Sequence, residues 1–161
     1  MDQAIAHVLG LMDVVDNLYA RALHGLDPSE LTRTPSPHSN PMVWMAGHLA
    51  QSRARLARLL GAEQEVPWPS LFRRGEPPPG EQDYPALAEI RRAWEGAGAA
   101  LRTRLRSMRD AELHADLELK IPSTDGTLRG AIVFALFHES YHVGQMGYVR
   151  RTLGKEGIAQ L

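Results

Sequence analysis

Residues 87–108 read LAEIRRAWEGAGAALRTRLRSM and carry the clearest structural signal in the chain. Their apolar side chains recur at steps of three and four residues, at Leu87, Ile90, Trp94, Ala97, Leu101, Leu105 and Met108. Because an α-helix has about 3.6 residues per turn, this spacing gathers them into one stripe along a helix. Such a stripe needs a partner surface, so the segment predicts a helix packed inside a helical bundle.

Three further segments show helical periodicity, and each ends at a glycine. They run from Ile5 to about Gly25, from Asn40, as a cap before Pro41, to Gly61, and from Thr127, as a cap after Asp125-Gly126, to Gly154. Residues 131–137 are apolar on every side, which predicts that the last helix is the most buried. Together the four segments predict an all-α, antiparallel four-helix bundle that occupies residues 1–161 as a single domain.

Two of the connections carry signals of their own. The stretch from Gly61 to Asp83 contains Pro67, Pro69 and residues 77–79, all proline, which exclude a helix. A loop of that length often forms a lid or a binding wall, so we expect it to shape the mouth of a substrate site through Trp68, Phe72, Arg73 and Arg74. Residues 113–121 alternate apolar and polar side chains, which predicts a short extended strand before the last helix.

Composition excludes several classes of protein. The chain has 18 Lys and Arg against 19 Asp and Glu, and a formal net charge of -1 argues against a nucleic-acid binder. The arginines at 53, 55 and 58 are therefore interpreted as a solvated face or an anion-attracting rim. The absence of Cys excludes disulfides and thiolate metal sites, and it is compatible with a reducing cytoplasm. With no signal peptide at Met1 and no apolar run long enough to span a bilayer, we expect a cytoplasmic protein with no membrane partner.

The sharpest chemical feature is His138-Glu139-Ser140-Tyr141-His142. Residues four apart lie on one face of a helix, with Cβ atoms about 5–6 Å apart. Two imidazoles in that arrangement suit a single zinc-like ion, at about 2.0–2.1 Å from each nitrogen. The alternative is that the two histidines share a face by chance and each is satisfied by a hydrogen bond. Burying two imidazoles without partners is costly, which favours the metal hypothesis.

His48 is the best candidate for a third ligand. It lies at the margin of the apolar stripe of the second predicted helix, so it can point inward between helices. Three neutral imidazoles leave at least one coordination position open, which is typical of a catalytic metal site. The expected ion is divalent, zinc or nickel first, since imidazole suits both. The other histidines, at positions 7, 24, 38 and 114, are interpreted as solvated or capping residues.

The spelling H-E-x-x-H is also the signature of a metalloprotease, in which the Glu is a general base. That interpretation is disfavoured, because the sequence after His142 offers no His and only Glu156 as an acidic ligand. Glu139 is still a catalytic candidate, as a base or as an acceptor for a ligand N–H, with a solvated glutamate as the default. Gln145 shares the face of the histidine pair and is a candidate to bind an imidazole or a substrate; a polar residue at the bundle rim is the alternative.

These motifs resemble those of the DinB-like family. Asn40, Trp44, His48 and Leu49 match its N-x-x-x-W-x-x-x-H-L pattern, and residues 138–145 match H-x-x-x-H-x-G-Q. The resemblance implies a four-helix bundle, usually a homodimer, with a divalent metal held by His48, His138 and His142. Relatives in the wider superfamily include transferases and isomerases that use low-molecular-weight thiols. Many others have no assigned reaction and are described as metal-dependent hydrolases.

Two classes of function follow. The first is a metal-dependent enzyme, a hydrolase or a thiol S-transferase, that acts on a small-molecule substrate. If a low-molecular-weight thiol is the co-substrate, it must come from solution, because the chain has no Cys. The second class is a non-catalytic bundle that binds a small ligand or assembles as a stress-related dimer, with the histidines serving structure only.

Overall fold

The computed structural model describes residues 3–37, 39–72, 75, 80, 83–116 and 121–159. Within these ranges the chain forms helices α1 (Gln3–Leu23), α2 (Pro28–Thr32), α3 (Met42–Leu59), α4 (Leu87–Ser107), α5 (Asp110–Leu113) and α6 (Leu128–Thr152). The long helices α1, α3, α4 and α6 are the four that the sequence predicts, so the all-α bundle is confirmed. None of the helices in these ranges has the length and apolarity needed to cross a membrane.

Side chains cap the starts of two helices, and two features of the helix starts differ from the prediction. Thr127 caps α6 as expected, its hydroxyl accepting from the Gly130 N–H at 3.1 Å. Asn40 does not cap α3, because Pro41 is the N-cap residue and no side chain bonds the first turn. The short helix α2 was not predicted, although Asp27 begins it with a capping box, accepting from the Glu30 N–H at 2.9 Å.

The strand predicted over residues 113–121 is wrong where the structure describes the chain. Leu113 ends helix α5 and is fully buried, and the segment after it makes one isolated bridge, between Asp116 and Thr127. Residues 117–120 lie outside the described residues. The Glu112 carboxylate accepts from the Arg109 N–H at 2.9 Å and so stabilises a helical turn that an apolar-polar alternation alone did not reveal.

Two apolar clusters fill the two ends of the bundle and fix the direction of each helix. In one cluster, the N-terminal halves of α3 and α4 meet the C-terminal halves of α1 and α6. In the other cluster the opposite halves of the same helices meet. Helices α3 and α4 therefore run one way, and α1 and α6 run the other. The predicted antiparallel packing holds for α3 against α6 and for α1 against α4, whereas the neighbours α3 and α4 are parallel.

The long connection between α3 and α4 is a consequence of that direction. Two consecutive parallel helices must be joined by a segment that returns the full length of the first, about 27 Å for the 18 residues of α3. The return runs along α3 itself. The side-chain amide of Gln51 donates to the carbonyls of Pro67 at 3.2 Å and Trp68 at 2.6 Å, and the Phe72 ring packs against Gly47 further back.

Burial is distributed differently from the prediction. Every residue from Met42 to Gln51 is buried, so α3 is the most buried helix. Helix α6 was expected to hold that place, yet Val133 is 43% exposed and Phe137 is 62% exposed. One side of α6 therefore presents apolar side chains outward although its sequence over residues 131–137 is apolar all round.

Arg53 is the largest fully buried side chain, which corrects its interpretation as part of a solvated face. Its guanidinium forms two hydrogen bonds with the Glu139 carboxylate of α6, at 2.8 and 2.6 Å. It also pairs with Asp16 of α1 and lies 3.2 Å from the centroid of the Trp94 ring of α4. Arg102 extends the network by donating to Asp16 at 2.6 Å.

This network satisfies groups that burial would otherwise penalise. Burial by itself lowers the pKa of Arg53, but the carboxylates of Glu139 and Asp16 outweigh that effect and hold the pKa above its ordinary value. Glu139 is 2% exposed, so the default interpretation of a solvated glutamate is also wrong. A buried ion pair of this geometry adds little over an apolar pair, but it is very costly to break from one side.

Arg53→Met leaves the Glu139 carboxylate buried without its cation and is expected to lower the free energy of unfolding by about 3–5 kcal/mol. Urea denaturation followed by circular dichroism measures the change. Arg55→Met on the exposed side of the same helix is the matched control, expected within about 0.5 kcal/mol of wild type. The double variant Arg53→Met with Glu139→Leu removes both charges and should recover most of the loss. A loss below about 1 kcal/mol for the single variant would contradict a buried pair.

Candidate metal centre

The packing of α3 against α6 brings three histidines together. The ligand nitrogens of His48, His138 and His142 all lie within 4.8 Å of one another. The ring of His48 meets those of His138 and His142 edge to face, with centroids 5.1 Å apart in both cases. His48 is 9% exposed, and the two α6 histidines are partly exposed, so the cluster is buried on its α3 side and open on its α6 side.

One separation in the cluster has the size expected of two ligands of one ion. The Nε2 atoms of His48 and His138 are 3.2 Å apart. Two nitrogens that are each about 2.0–2.1 Å from a common zinc-like ion lie roughly 2.9–3.4 Å from each other in tetrahedral or octahedral geometry. Among the residues that the structure describes, no other three His, Asp or Glu side chains approach one another in this way.

Hydrogen bonds at the far side of two rings set which nitrogen faces the cluster. His48 donates from Nδ1 to the Phe72 carbonyl at 3.1 Å, and His142 donates from Nδ1 to the Gln145 amide oxygen at 2.7 Å. Since both partners are oxygen acceptors, each Nδ1 carries the proton in the neutral ring and each Nε2 keeps its lone pair. This is the arrangement that outer groups impose on metal-binding histidines.

The two other candidates from the sequence have different surroundings. Gln145 is exposed and bonds an imidazole, which is one of the roles predicted for it, and its amide also donates to the Tyr141 hydroxyl at 3.2 Å. Glu139 follows His138 directly but turns away to the interior, and both of its oxygens are bonded to Arg53. Its contacts are those of a residue that joins helices, whereas a general base needs access to substrate or water.

A cleft of about 620 Å³ is lined by two residues that contact His142, although none of the three histidines lines it. Tyr141 and Gln145, which flank His142, form one wall with Tyr148, and the other wall consists of Pro35, Ser36, Ser39 and Asn40 before α3. The described residues that line the cleft carry hydroxyl and amide groups and no charge. The proline-rich segment was expected here, but Phe72 is fully buried behind His48 and Trp68 packs beside it; Arg73 and Arg74 lie outside the described residues.

The remaining predicted residues lie apart from the cluster or behind it. Trp44 is buried and stacks on the His48 ring with centroids 4.8 Å apart and planes 9° apart, so it forms a wall against that ring. His7, His24 and His114 are exposed, as predicted for solvated residues. His38 lies outside the described residues.

Comparison with known proteins agrees with the arrangement of helices and motifs. A family model described as the DinB superfamily matches residues 12–146. The chain belongs to the DinB superfamily. A solved structure described as a conserved protein from Enterococcus faecalis is similar in fold, with a TM-score of 0.77 over 96% of this chain and 100% of that one, at 17% identity. None of the curated protein sequences matches the chain.

Within this DinB-superfamily bundle, sequence reasoning missed three residues that support the cluster. Arg53 interrupts the apolar stripe between Leu49 and Leu56, and that interruption was a signal that its side chain points inward. Gly47 precedes His48 and leaves the space that the Phe72 ring occupies. Nothing in the sequence signalled that the Phe72 carbonyl would reach His48, because a main-chain contact across 24 residues leaves no pattern in side-chain types.

Proposed function

We propose that this chain binds one divalent metal ion, zinc or nickel, through His48, His138 and His142, and that the bound ion takes part in a reaction of a small molecule. The observation that carries the proposal is the pair of Nε2 atoms at 3.2 Å, with the Nδ1 of His48 bonded to a carbonyl. Two Nε2 lone pairs at this distance repel each other. The contact is therefore held either by a proton on one Nε2, which makes it a hydrogen bond, or by one ion that both nitrogens bind.

The open side of the cluster supports a catalytic role over a structural one. A site with three protein ligands keeps a position for water or substrate, whereas structural zinc sites are usually closed by four. A bound divalent ion supplies Lewis-acid chemistry, which polarises a carbonyl or acidifies a water or thiol. The chain itself contributes the cleft, in which the hydroxyl of Ser36 and the amide of Asn40 offer uncharged hydrogen-bonding groups to a substrate.

The proposed reaction is a hydrolysis or a transfer to a low-molecular-weight thiol. The thiol would arrive from solution, because the chain has no Cys. A metalloprotease mechanism is not favoured, since it requires the Glu of H-E-x-x-H as a base and Glu139 is enclosed by Arg53. We therefore assign Glu139 no role in proton transfer and place Gln145 as the group that orients His142.

Purified wild-type protein is expected to carry one equivalent of zinc or nickel per chain by elemental analysis. His142→Ala removes one of three ligands and should fall to a small fraction of that content. The exposed His24→Ala is the matched control and should keep the wild-type metal content. Treatment with EDTA should lower the melting temperature of the wild type, and added zinc should restore it, because a ligand that binds the folded state stabilises it.

Equal, substoichiometric metal in wild type and His142→Ala, together with no thermal response to zinc, nickel or manganese, would reject the site. That result would favour the second class of function, a bundle whose histidines serve structure only.

The metal-loaded protein is expected to accelerate one of two test reactions. A thiol transferase should couple cysteine or glutathione to 1-chloro-2,4-dinitrobenzene, and a hydrolase should release nitrophenol from 4-nitrophenyl acetate without added thiol. Absorbance follows both products, and His142→Ala should abolish the activity while His24→Ala retains it. Metal binding with neither activity in either variant would support a non-catalytic ligand-binding role.

We further propose that the chain forms a homodimer through the outer faces of α1 and α6. Six large apolar side chains are exposed in the described residues, and all lie on these two helices, at Leu11, Val14, Val133, Phe137, Tyr141 and Tyr148. On α6 they recur at helical steps and form one stripe. No atoms approach the faces of Gly10 and Gly144, so a helix could pack closely there. A second copy related by a two-fold axis presents the same stripe to the first.

Phe137→Glu places a charge in the middle of that stripe and is expected to convert a dimer into a monomer. Light scattering coupled to size exclusion measures the mass against the 17.8 kDa of one chain. Ala99→Glu, on the exposed side of α4, is the control and should remain dimeric. A wild type that elutes as a monomer would contradict the proposal.

A further inference from the structure

The segment that follows α3 does more than return the chain to the start of α4. Within this segment, the main-chain carbonyl of Phe72 accepts a hydrogen bond from His48 Nδ1 at 3.1 Å. The fully buried ring of Phe72 packs against the backbone of α3. The same residue therefore touches both a candidate metal ligand and the helix that carries that ligand.

The Phe72 ring occupies a space that exists only because residue 47 is a glycine. A Cβ atom built on Gly47 would lie 2.1 Å from Phe72 Cζ and 2.4 and 2.6 Å from the two Cε atoms, far inside van der Waals contact. The tip of the ring thus points directly at the helix backbone. Trp68 and Tyr84 pack on the other sides of the ring, at 5.7 and 6.3 Å between centroids, so it has little room to move aside.

The carbonyl of the same residue controls the chemistry of the His48 ring. A carbonyl oxygen accepts hydrogen bonds only, so His48 Nδ1 must carry a proton and Nε2 must present its lone pair to the cluster. Trp44, stacked on the ring within 9° of parallel, limits rotation out of that plane. If the carbonyl moved out of hydrogen-bonding distance, either nitrogen of the His48 ring could carry the proton, while Trp44 would still hold the ring in place.

We propose that Phe72 and Gly47 act together as positioning residues: the ring seated on Gly47 holds the Phe72 carbonyl on His48, and this fixes the tautomer that binds metal. This inference rests on the metal site proposed above, and it adds the contact that holds His48 in the tautomer that binds metal. Neither residue touches the ion or a substrate.

Gly47→Ala forces the ring off its seat and is expected to lower the affinity for zinc by about 10- to 100-fold, the usual cost of losing an outer partner of a metal-binding histidine. Competition with a chromogenic chelator measures the affinity. Gly96→Ala on α4 is the matched control, because no atom lies within 4 Å of its added Cβ. Phe72→Tyr should resemble Gly47→Ala, since its hydroxyl extends the ring tip into the same backbone.

A double variant distinguishes the loss of positioning from a general loss of stability. Phe72→Leu shortens the side chain, so the double variant Gly47→Ala with Phe72→Leu should bind zinc more tightly than Gly47→Ala alone. Two substitutions that act through one contact are non-additive in this way, whereas independent losses of stability would add. Additive losses in the double variant would overturn the proposal.

The tautomer of His48 is read directly from the metal-free protein by ¹⁵N correlation of the imidazole at a pH where the ring is neutral. Wild type and Gly96→Ala should show the Nδ1–H form alone, and Gly47→Ala should show a mixture or the Nε2–H form. If the wild type binds no zinc, the proposed function fails, yet the tautomer measurement still decides the positioning role. Unchanged zinc affinity and unchanged tautomer in Gly47→Ala would overturn it.

Discussion

The guanidinium of Arg53 is the point at which all four long helices meet. It extends from α3, forms two hydrogen bonds with Glu139 on α6, pairs with Asp16 on α1 and lies over Trp94 on α4. A charge this deep is tolerated only while every partner is in place, so the network penalises any rotation of α6 against α3. Because His138 directly precedes Glu139, the same constraint that holds the bundle together also fixes where the α6 histidines face His48.

The direction of the helices is a second constraint on the fold. Since α3 and α4 run the same way, the chain must travel back along the bundle between them, and it does so in contact with α3. That return places the Phe72 carbonyl on His48 Nδ1, the nitrogen that faces away from the cluster. A long proline-rich loop therefore need not be a lid; here its length is set by topology, and its described part packs against the back of the candidate site.

Much of the fold was predictable because it depends on local pattern. Helical periodicity located all four long helices, glycines marked the ends of three of them, and the four-residue spacing of His138 and His142 placed both imidazoles on one face. The predictions that failed depend on tertiary partners. Arg53 was interpreted as part of a solvated face because the net charge argued against a nucleic-acid patch, and only Glu139, Asp16 and Trp94 make its burial possible. The outward apolar side of α6 was missed for the opposite reason, since composition cannot tell a buried face from an exposed one.

The candidate site is therefore asymmetric, and the asymmetry has a physical basis. His48 belongs to the most buried helix and is held by Trp44, Phe72 and Gly47, so its position is set by the core. His142 is partly exposed and held by Gln145, an exposed side chain at the cleft wall. The position of His48 therefore depends on core packing, whereas the orientation of His142 depends on a single hydrogen bond to a surface side chain.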